Sequence, residues 1–220
     1  MTKVSAQAAQ CIEEKYPPRV RTNPMPDAPP SATTLTARLL LRAPTAADLD
    51  VTHLIHSDPR TQRYNPAGPD SRESCQHRLQ GWIQHWQDQG FGYWVVCDRA
   101  QPERVLGFGG VMHSRFGERS GLNLYFRFAV EAWGQGYASE MAGAALHLAF
   151  RVLGKEQVIG LVRPDNLPSR RALERLGLTR DGELDDFPGL APSLLYSLSA
   201  ERYFAAKAAS PTDTVRSREP

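Results

Sequence analysis

Two glycines one residue apart mark the most chemically suggestive stretch of this chain, Trp133-Gly134-Gln135-Gly136-Tyr137-Ala138-Ser139-Glu140. They stand between an apolar run that reads as a strand and an apolar-periodic run that reads as a helix. Glycine at a helix start lets the backbone turn tightly and leaves several N–H groups unpaired and pointing outward. With the positive end of the helix dipole, such groups attract a phosphate. The holding of a phosphorylated ligand at this turn is therefore the first chemistry expected. Taken alone, the segment is equally a tight turn that binds nothing.

A second constellation follows in Arg163-Pro164-Asp165-Asn166-Leu167-Pro168-Ser169-Arg170-Arg171-Ala172-Leu173-Glu174-Arg175-Leu176-Gly177-Leu178. Asp165 or Asn166 suits a helix cap, Pro168 suits the first turn, and Gly177 ends the helix. A plain cap is the structural reading of Asn166. A polar side chain aimed at a ligand is the functional one.

These segments need elements to hold them. Leu122 to Val130 reads as the strand that feeds the glycine turn. The helix after it starts near Gln135 and carries Met141, Ala145, Leu148, Ala149 and Val152 on one face. Upstream, Leu35 to Arg42 reads as a strand, and Thr45 caps a helix to about His56 with Leu49, Leu54 and Ile55 turned inward. Ser71 opens a second helix with Glu73 in its first turn. It presents Leu79, Trp82, Ile83 and Trp86 on one face and stops at Gly90.

Gly92 to Cys97 and Val105 to His113 read as strands joined by a turn around Gln101-Pro102. Gln157 to Val162 is a short apolar strand, Pro168 to Leu176 a helix, and Leu194 to Leu198 a closing strand. The order predicts an α/β (α+β) layout with a mixed sheet in one domain. Its strand-helix-strand unit over 122–162 is expected to be parallel and right-handed. Residues 1–32, with Pro17, Pro18, Pro24, Pro26, Pro29 and Pro30, read as a disordered Pro-rich extension. The folded domain is expected over 33–205, with a flexible tail over 206–220.

Composition narrows the classes. With 26 Lys and Arg against 24 Asp and Glu, the net charge is +2, and no dense basic stripe supports nucleic-acid binding. Cys11, Cys75 and Cys97 are odd in number and scattered, without disulfide or metal-ligand spacing. No apolar run has the length of a signal-peptide core or a membrane span, so a soluble, cytoplasmic protein without membrane partners is expected.

Together, the glycine turn and the Asn166 segment resemble the GNAT superfamily of acyl-CoA-dependent N-acetyltransferases. The branch that includes the ribosomal-protein N-terminal (alanine/serine) acetyltransferases is the most similar. Its phosphate-loop pattern Trp-Gly-x-Gly-Tyr-Ala-x-Glu is matched by Trp133 through Glu140. Its Asn-x-x-Ser pattern, closing on Leu-Gly-hydrophobic, is matched by Asn166, Ser169, Leu176, Gly177 and Leu178. The resemblance covers about residues 33–205.

It implies a twisted mixed sheet whose fourth and fifth strands splay apart, with acetyl-CoA as co-substrate in the cleft. The pantetheine arm would pair with the fourth strand near Phe128 and Val130. The pyrophosphate would rest on the N–H groups of Gly134, Gln135, Gly136, Tyr137, Ala138 and Ser139. Asn166 and Ser169 would face the cofactor from the opposite wall. The partners implied are acetyl-CoA and an amine acceptor, and a homodimer is left open.

Amine attack on a thioester needs a neutral amine, a donor for the developing oxyanion and a stabilised leaving thiolate, but no metal. A strand N–H near Phe128 suits the second task. Many members of the family use a Tyr for the third, seven residues beyond the Asn. Leu173 stands there, so the expectation falls on the Ser169 hydroxyl, whose position the resemblance puts near the cofactor sulfur, with a helix-start Ser bonding its own backbone as the structural alternative. His113, at the end of its strand, is the candidate base, with a solvent-facing His at a strand end as the commoner structural alternative. Glu140 reads as helix-start charge stabilisation. Tyr64, Tyr125, Trp82 and Trp94 could line an acceptor pocket or belong to the core. His53 and His56 share a helix face without a third metal ligand.

Two other readings compete. In a dinucleotide-binding oxidoreductase the third glycine position would not be Ser139, and an acid would stand near Arg163. A non-catalytic acyl-CoA-binding or regulatory protein is kept open by Leu173.

Overall fold

The structure, a computed structural model, describes residues 33–209. The expected extension over 1–32, and the expected tail from Ser210 onward, lie outside the described residues. The strands are β1 (Thr33–Leu35), β2 (Leu39–Arg42), β3 (Tyr93–Asp98), β4 (Val105–Phe116), β5 (Arg119–Phe128), β6 (Gln157–Val162), β7 (Thr179–Leu184) and β8 (Ser193–Ser199). They form one sheet in the order β1-β2-β3-β4-β5-β6-β8-β7. Every neighbouring pair is antiparallel except β5 and β6, so the sheet is mixed as expected.

Among the described residues five α-helices cover it: α1 (Leu49–Ser57), α2 (Arg72–Gln89), α3 (Tyr137–His147), α4 (Leu167–Arg175) and α5 (Ala200–Ala209). Side chains alternate between the two faces of a strand. Tyr93, Val95, Cys97, Phe108 and Met112 turn one way and pack with Ile55 of α1 and with Leu79 and Trp82 of α2. Trp94, Val96, Val111, Leu122, Leu124 and Phe128 turn the other way. They pack with Met141 and Ala145 of α3, Leu173 of α4 and Tyr203 of α5. The result is a sheet with α1 and α2 on one face and α3, α4 and α5 on the other.

Several expectations are corrected. Leu35 to Arg42 is two short strands, because the Thr36 N–H turns back to the Leu39 carbonyl at 2.9 Å. The helix after Thr45 begins as a 3-10 turn, Ala46–Asp48, with a capping box between Thr45 and Asp48. Its buried stripe is Thr52, Ile55 and His56, at three- and four-residue spacing. Leu54 falls off that stripe and is 70% exposed. β5 ends at Phe128, and Val130 opens a 3-10 turn, Val130–Ala132, instead of extending the strand.

The long helix starts at Tyr137 and finishes as a π-helical turn, Leu148–Val152. The wider turn swings Val152 off the apolar face to 41% exposure. β4 runs three residues past His113, so His113 is not at a strand end. β7 was not expected. Thr-Arg-Asp-Gly-Glu-Leu has no apolar alternation, and only its pairing with β8 makes it a strand. α5 was likewise missed, and it carries helix through Ala209.

Candidate functional site

β5 and β6 form a fork. Their parallel register comprises Leu122 with Val158 and Asn123 with Ile159, and beyond that point they separate. The other edge of β5 stays paired with β4 along its whole length. The Ala129 N–H donates to Leu106 across that ladder at 2.9 Å, so odd-numbered residues bond toward β4. By alternation, Phe126 and Phe128 direct their backbone groups into the gap. The Phe128 carbonyl already accepts from the Trp133 indole at 2.9 Å. The Phe126 N–H and C=O and the Phe128 N–H remain on the open edge.

At the end of β5 the chain turns through Val130–Ala132 into the glycine loop. Gly134 and Gly136 have φ of 73° and 79°, in the left-handed region that glycine adopts without penalty. Gly136 is the helix cap of α3, and the Glu140 N–H closes the first turn onto the Gly136 carbonyl. The N–H groups of Gly134, Gln135, Gly136, Tyr137, Ala138 and Ser139 have no acceptor among the described residues. Six donors thus line one end of the fork, at the positive end of a helix.

The loop is held from behind by the β1–β2 turn. Glu140 accepts from the Thr36 hydroxyl at 2.6 Å, the Arg38 N–H at 2.8 Å and Arg38 Nε at 2.7 Å. Burial pushes the Glu140 carboxyl up, but the Thr36 and Arg38 bonds outweigh it and hold it below the usual carboxylate range. Arg38 also donates to the Gln135 carbonyl and lies over the Tyr137 ring. A recess of about 450 Å³ beside the loop is lined by Arg38, Asp98, Arg99 and Tyr137 among others.

The opposite wall is the start of α4, which follows β6. The Asn166 side chain caps that helix, its Oδ1 accepting from the Ser169 N–H at 3.2 Å. The cap reading is thus correct, and the Asn166 amide nitrogen has no partner among the described residues. Ser169 is half-buried with its hydroxyl unpaired among them. Leu173 is core. It packs over Gly160 of β6, where an added Cβ would come within 3.0 Å of Leu173.

On the α1/α2 face of the fork lies an aromatic group that the sequence only partly foretold. Tyr93 and Tyr125 have ring centroids 5.0 Å apart, and Trp82 stands against both. Asn123 donates to the Tyr93 hydroxyl at 2.6 Å. His56 Nδ1 meets the Thr52 carbonyl at 2.9 Å and therefore carries the proton. Its Nε2 then accepts from the Tyr125 hydroxyl at 2.9 Å, and that hydroxyl accepts in turn from Arg127 at 3.1 Å. Burial, reinforced by Arg78 and Arg127, pushes the His56 imidazole well below its usual range and keeps it neutral.

Trp94 lies on the other face in the α3 core, and Tyr64 is half-buried in the loop after α1. His53 approaches Cys75 Sγ at 3.9 Å while His56 turns to Tyr125, so the two histidines do not converge. Among the described residues no group of three or more His, Cys, Asp or Glu could hold a metal ion.

His113 pairs across the ladder with Leu122, six residues back along β5 from Phe128, so about 20 Å of strand separates it from the loop end. Its ring meets His85 and Phe91, and its N–H donates to His85 Nε2 at 3.3 Å. Burial first, then neighbouring positive charge, push it down to about 4. Sequence reasoning missed Asn123, Tyr93, Thr36 and Arg38. A polar residue inside an apolar strand was the available signal for Asn123.

The family model for the Acetyltransferase (GNAT) domain matches residues 38–179. The Uncharacterized N-acetyltransferase YnaD of Bacillus subtilis is 26% identical over 147 residues, 67% of this chain and 82% of that relative. The GNAT-family acetyltransferase from Bacillus anthracis superposes with a TM-score of 0.62 at 22% identity, covering 77% of this chain and 99% of that one. Spermidine N-acetyltransferase from Vibrio cholerae, solved with CoA and spermine, superposes with a TM-score of 0.61 at 19% identity over 77% and 99%. These superpositions show a shared fold, and the family match spans the fork, the glycine loop and α4. The chain belongs to the GNAT acetyltransferase family.

Proposed function

We propose that this chain transfers an acetyl group from acetyl-CoA to a primary amine, with both bound at once in the fork. One observation carries the reading. A strand edge with unpaired backbone groups leads directly to a helix start with six unpaired N–H donors. The donors suit a pyrophosphate, and the edge suits an amide-bearing arm that pairs as an added strand would. Phe126 joins Phe128 on that edge, while Val130 is occupied in the turn, its carbonyl accepting from the Trp133 N–H at 3.1 Å.

The bound thioester supplies an electrophilic acetyl carbon. The amine nitrogen bonds to that carbon and the carbon–sulfur bond breaks. The amine loses one proton and the sulfur gains one, so no oxidant or metal is needed. A backbone N–H of the open edge steadies the carbonyl oxygen. The Ser169 hydroxyl, unpaired within the described chain, donates a hydrogen bond to the departing sulfur. We assign His113 to packing against α2, since a group that titrates near 4 is a weak proton acceptor at neutral pH. Asn166 faces the cofactor with its amide nitrogen.

Within the family, the loop pattern from Trp133 to Glu140 favours the branch of ribosomal-protein N-terminal acetyltransferases, with a protein N-terminus or a small amine as acceptor. The scattered cysteines favour a reducing, cytoplasmic setting. A non-catalytic acyl-CoA-binding role is the second reading, carried by Leu173 packed on Gly160 where the family often has Tyr.

Calorimetric titration with acetyl-CoA tests the first step. Saturable 1:1 binding is expected, and no binding at millimolar ligand would remove the reading. Binding without turnover of any amine would favour the second.

A further inference from the structure

Asn123 is 5% exposed, and its Oδ1 is buried with no hydrogen-bond partner among the described residues. An unmet buried acceptor is costly, so folded chains seldom keep one without use. This one stands at the vertex of the fork. Asn123 with Ile159 is the last register pair before β5 and β6 separate. Its amide nitrogen is fixed on the Tyr93 hydroxyl at 2.6 Å, which sets the direction of the oxygen. The oxygen lies beside Tyr93, on the α1/α2 side of the point where the two strands part.

The surroundings are aromatic, and the carboxylate of Asp70, whose N–H donates to the His56 carbonyl, is taken up by Arg78. Tyr93, Tyr125 and Trp82 form the wall, with His56 behind Tyr125. No carboxylate among the described residues bonds to Asn123, Tyr125 or His56. The charged groups on this face are Arg78, ion-paired with Asp70 at 2.8 Å, and Arg127, which bonds only neutral oxygens of Thr61, Gln62 and Tyr125; both cations help to keep His56 neutral. The Arg127 charge opposes an ammonium ion and tolerates a neutral amine.

We propose that Asn123 Oδ1 accepts a hydrogen bond from the acceptor amine and holds it against the acetyl carbon. Being neutral, it selects amines that are already uncharged near neutral pH, α-amino groups ahead of alkyl polyamines. The inference rests on the acetyl-transfer reading above. Its chemistry follows from ordinary proton affinities. At pH 8 about half of an α-amine is neutral, against well under about 1% of a lysine-like alkylamine. A site with a carboxylate could collect the ammonium form and strip its proton, and this one lacks that device.

The test uses the full chain, with acetyl-CoA binding and amine turnover measured separately. Acetyl transfer to the dipeptide Ala-Tyr, to spermidine and to aniline is followed by release of the CoA thiol at pH 7.5. The wild type is expected to prefer Ala-Tyr to spermidine by about 100-fold in kcat/KM, in line with the neutral fractions. Asn123→Leu fills the same space without a polar atom and is expected to lose about 100-fold in kcat/KM. Its acetyl-CoA Kd and melting temperature should stay near those of the wild type. Asn123→Asp keeps an acceptor oxygen and cannot donate, so it should retain turnover within about tenfold and gain a rising pH limb.

Four results would overturn the proposal. These are an active Asn123→Leu, an Asn123→Asp as inactive as Asn123→Leu, a preference for spermidine, and acetyl-CoA binding with no turnover of any of the three amines. Failure of the wild type to bind acetyl-CoA would instead bring down the acetyl-transfer reading, and this proposal with it.

Discussion

Arg38 and Glu140, remote in sequence, are joined by two hydrogen bonds, one from the Arg38 backbone N–H at 2.8 Å and one from its Nε at 2.7 Å. The pair fixes the glycine loop to the β1–β2 turn, so the donors of the loop are positioned from outside the strand and helix that they join. Glu140→Gln is expected to loosen that attachment and destabilise the fold by about 1–3 kcal/mol at pH 7, by analogy with other charged hydrogen bonds. The pH dependence has a definite sign. Glu140 is held below its reference value of 4.5, so its contribution is present above that value and fades as pH falls through the lower folded-state pKa. Denaturant unfolding of both proteins between pH 3 and pH 7 checks this. A gap of constant size across the whole range would contradict it.

The two loop glycines should respond differently to substitution. An added Cβ at Gly134 meets nothing within 4 Å, whereas one at Gly136 stands 3.5 Å from Arg38 Nη2. Both have positive φ, so either substitution costs about 1–2 kcal/mol of backbone strain. Gly136→Val adds a branched side chain at the helix cap, beside the donors and the Arg38 clamp. It is expected to weaken acetyl-CoA binding more than tenfold, with Gly134→Ala retaining most of the affinity. Calorimetric titration of the two variants, with melting curves to separate strain from binding, decides the matter. Equal affinities would mean that the cap does not shape the site.

Asn166 and Ser169 lie on one turn yet carry separable roles. Asn166 accepts the Ser169 N–H, so Asn166→Ala should remove a helix cap and cost about 1 kcal/mol. The Ser169 hydroxyl makes no bond within the described chain, so Ser169→Ala should leave the melting temperature almost unchanged. If that hydroxyl serves the leaving sulfur, kcat should fall roughly 100-fold while acetyl-CoA affinity holds. A Ser169→Ala protein that melts early and turns over normally would make the residue purely structural.

How much of this was legible in the sequence depended on whether a residue's role was local. The glycine loop could be read because positive φ and a helix start are properties of adjacent residues. β6 and the Ser71 and Gly90 caps of α2 were legible for the same reason. β7 was not, because its polar residues become a strand only by pairing with β8. The departure of Leu173 from the family pattern was visible, but its cause was not. It fills the space over a strand glycine, and sequence does not reveal that Gly160 lies beneath it. Asn123 stood out only as a polar residue in an apolar strand, and its place where two strands part is a tertiary fact. His113 was legible as a titratable group, but its burial against His85 and Phe91 is a tertiary fact.

The His85–His113 pair offers the last test. His85 Nδ1 donates to the Phe91 carbonyl at 2.7 Å, and its Nε2 accepts the His113 N–H at 3.3 Å. Each ring nitrogen of His85 thus has a fixed role that only the neutral imidazole fills, because a second proton would set Nε2 against the His113 N–H. Burial pushes both rings from 6.5 down to about 4. Between those values the unfolded chain binds protons that the folded chain refuses. Stability is therefore complete above pH 6.5 and declines as pH falls toward 4. His85→Gln keeps a donor for Phe91 and an acceptor for the His113 N–H without titrating. It is expected to reduce the slope of unfolding free energy against pH by about one proton, roughly 1.4 kcal/mol per pH unit in the middle of that window. Urea melts at half-unit intervals from pH 4 to pH 7 measure it, and an unchanged slope would show that His85 takes up its proton in the folded state.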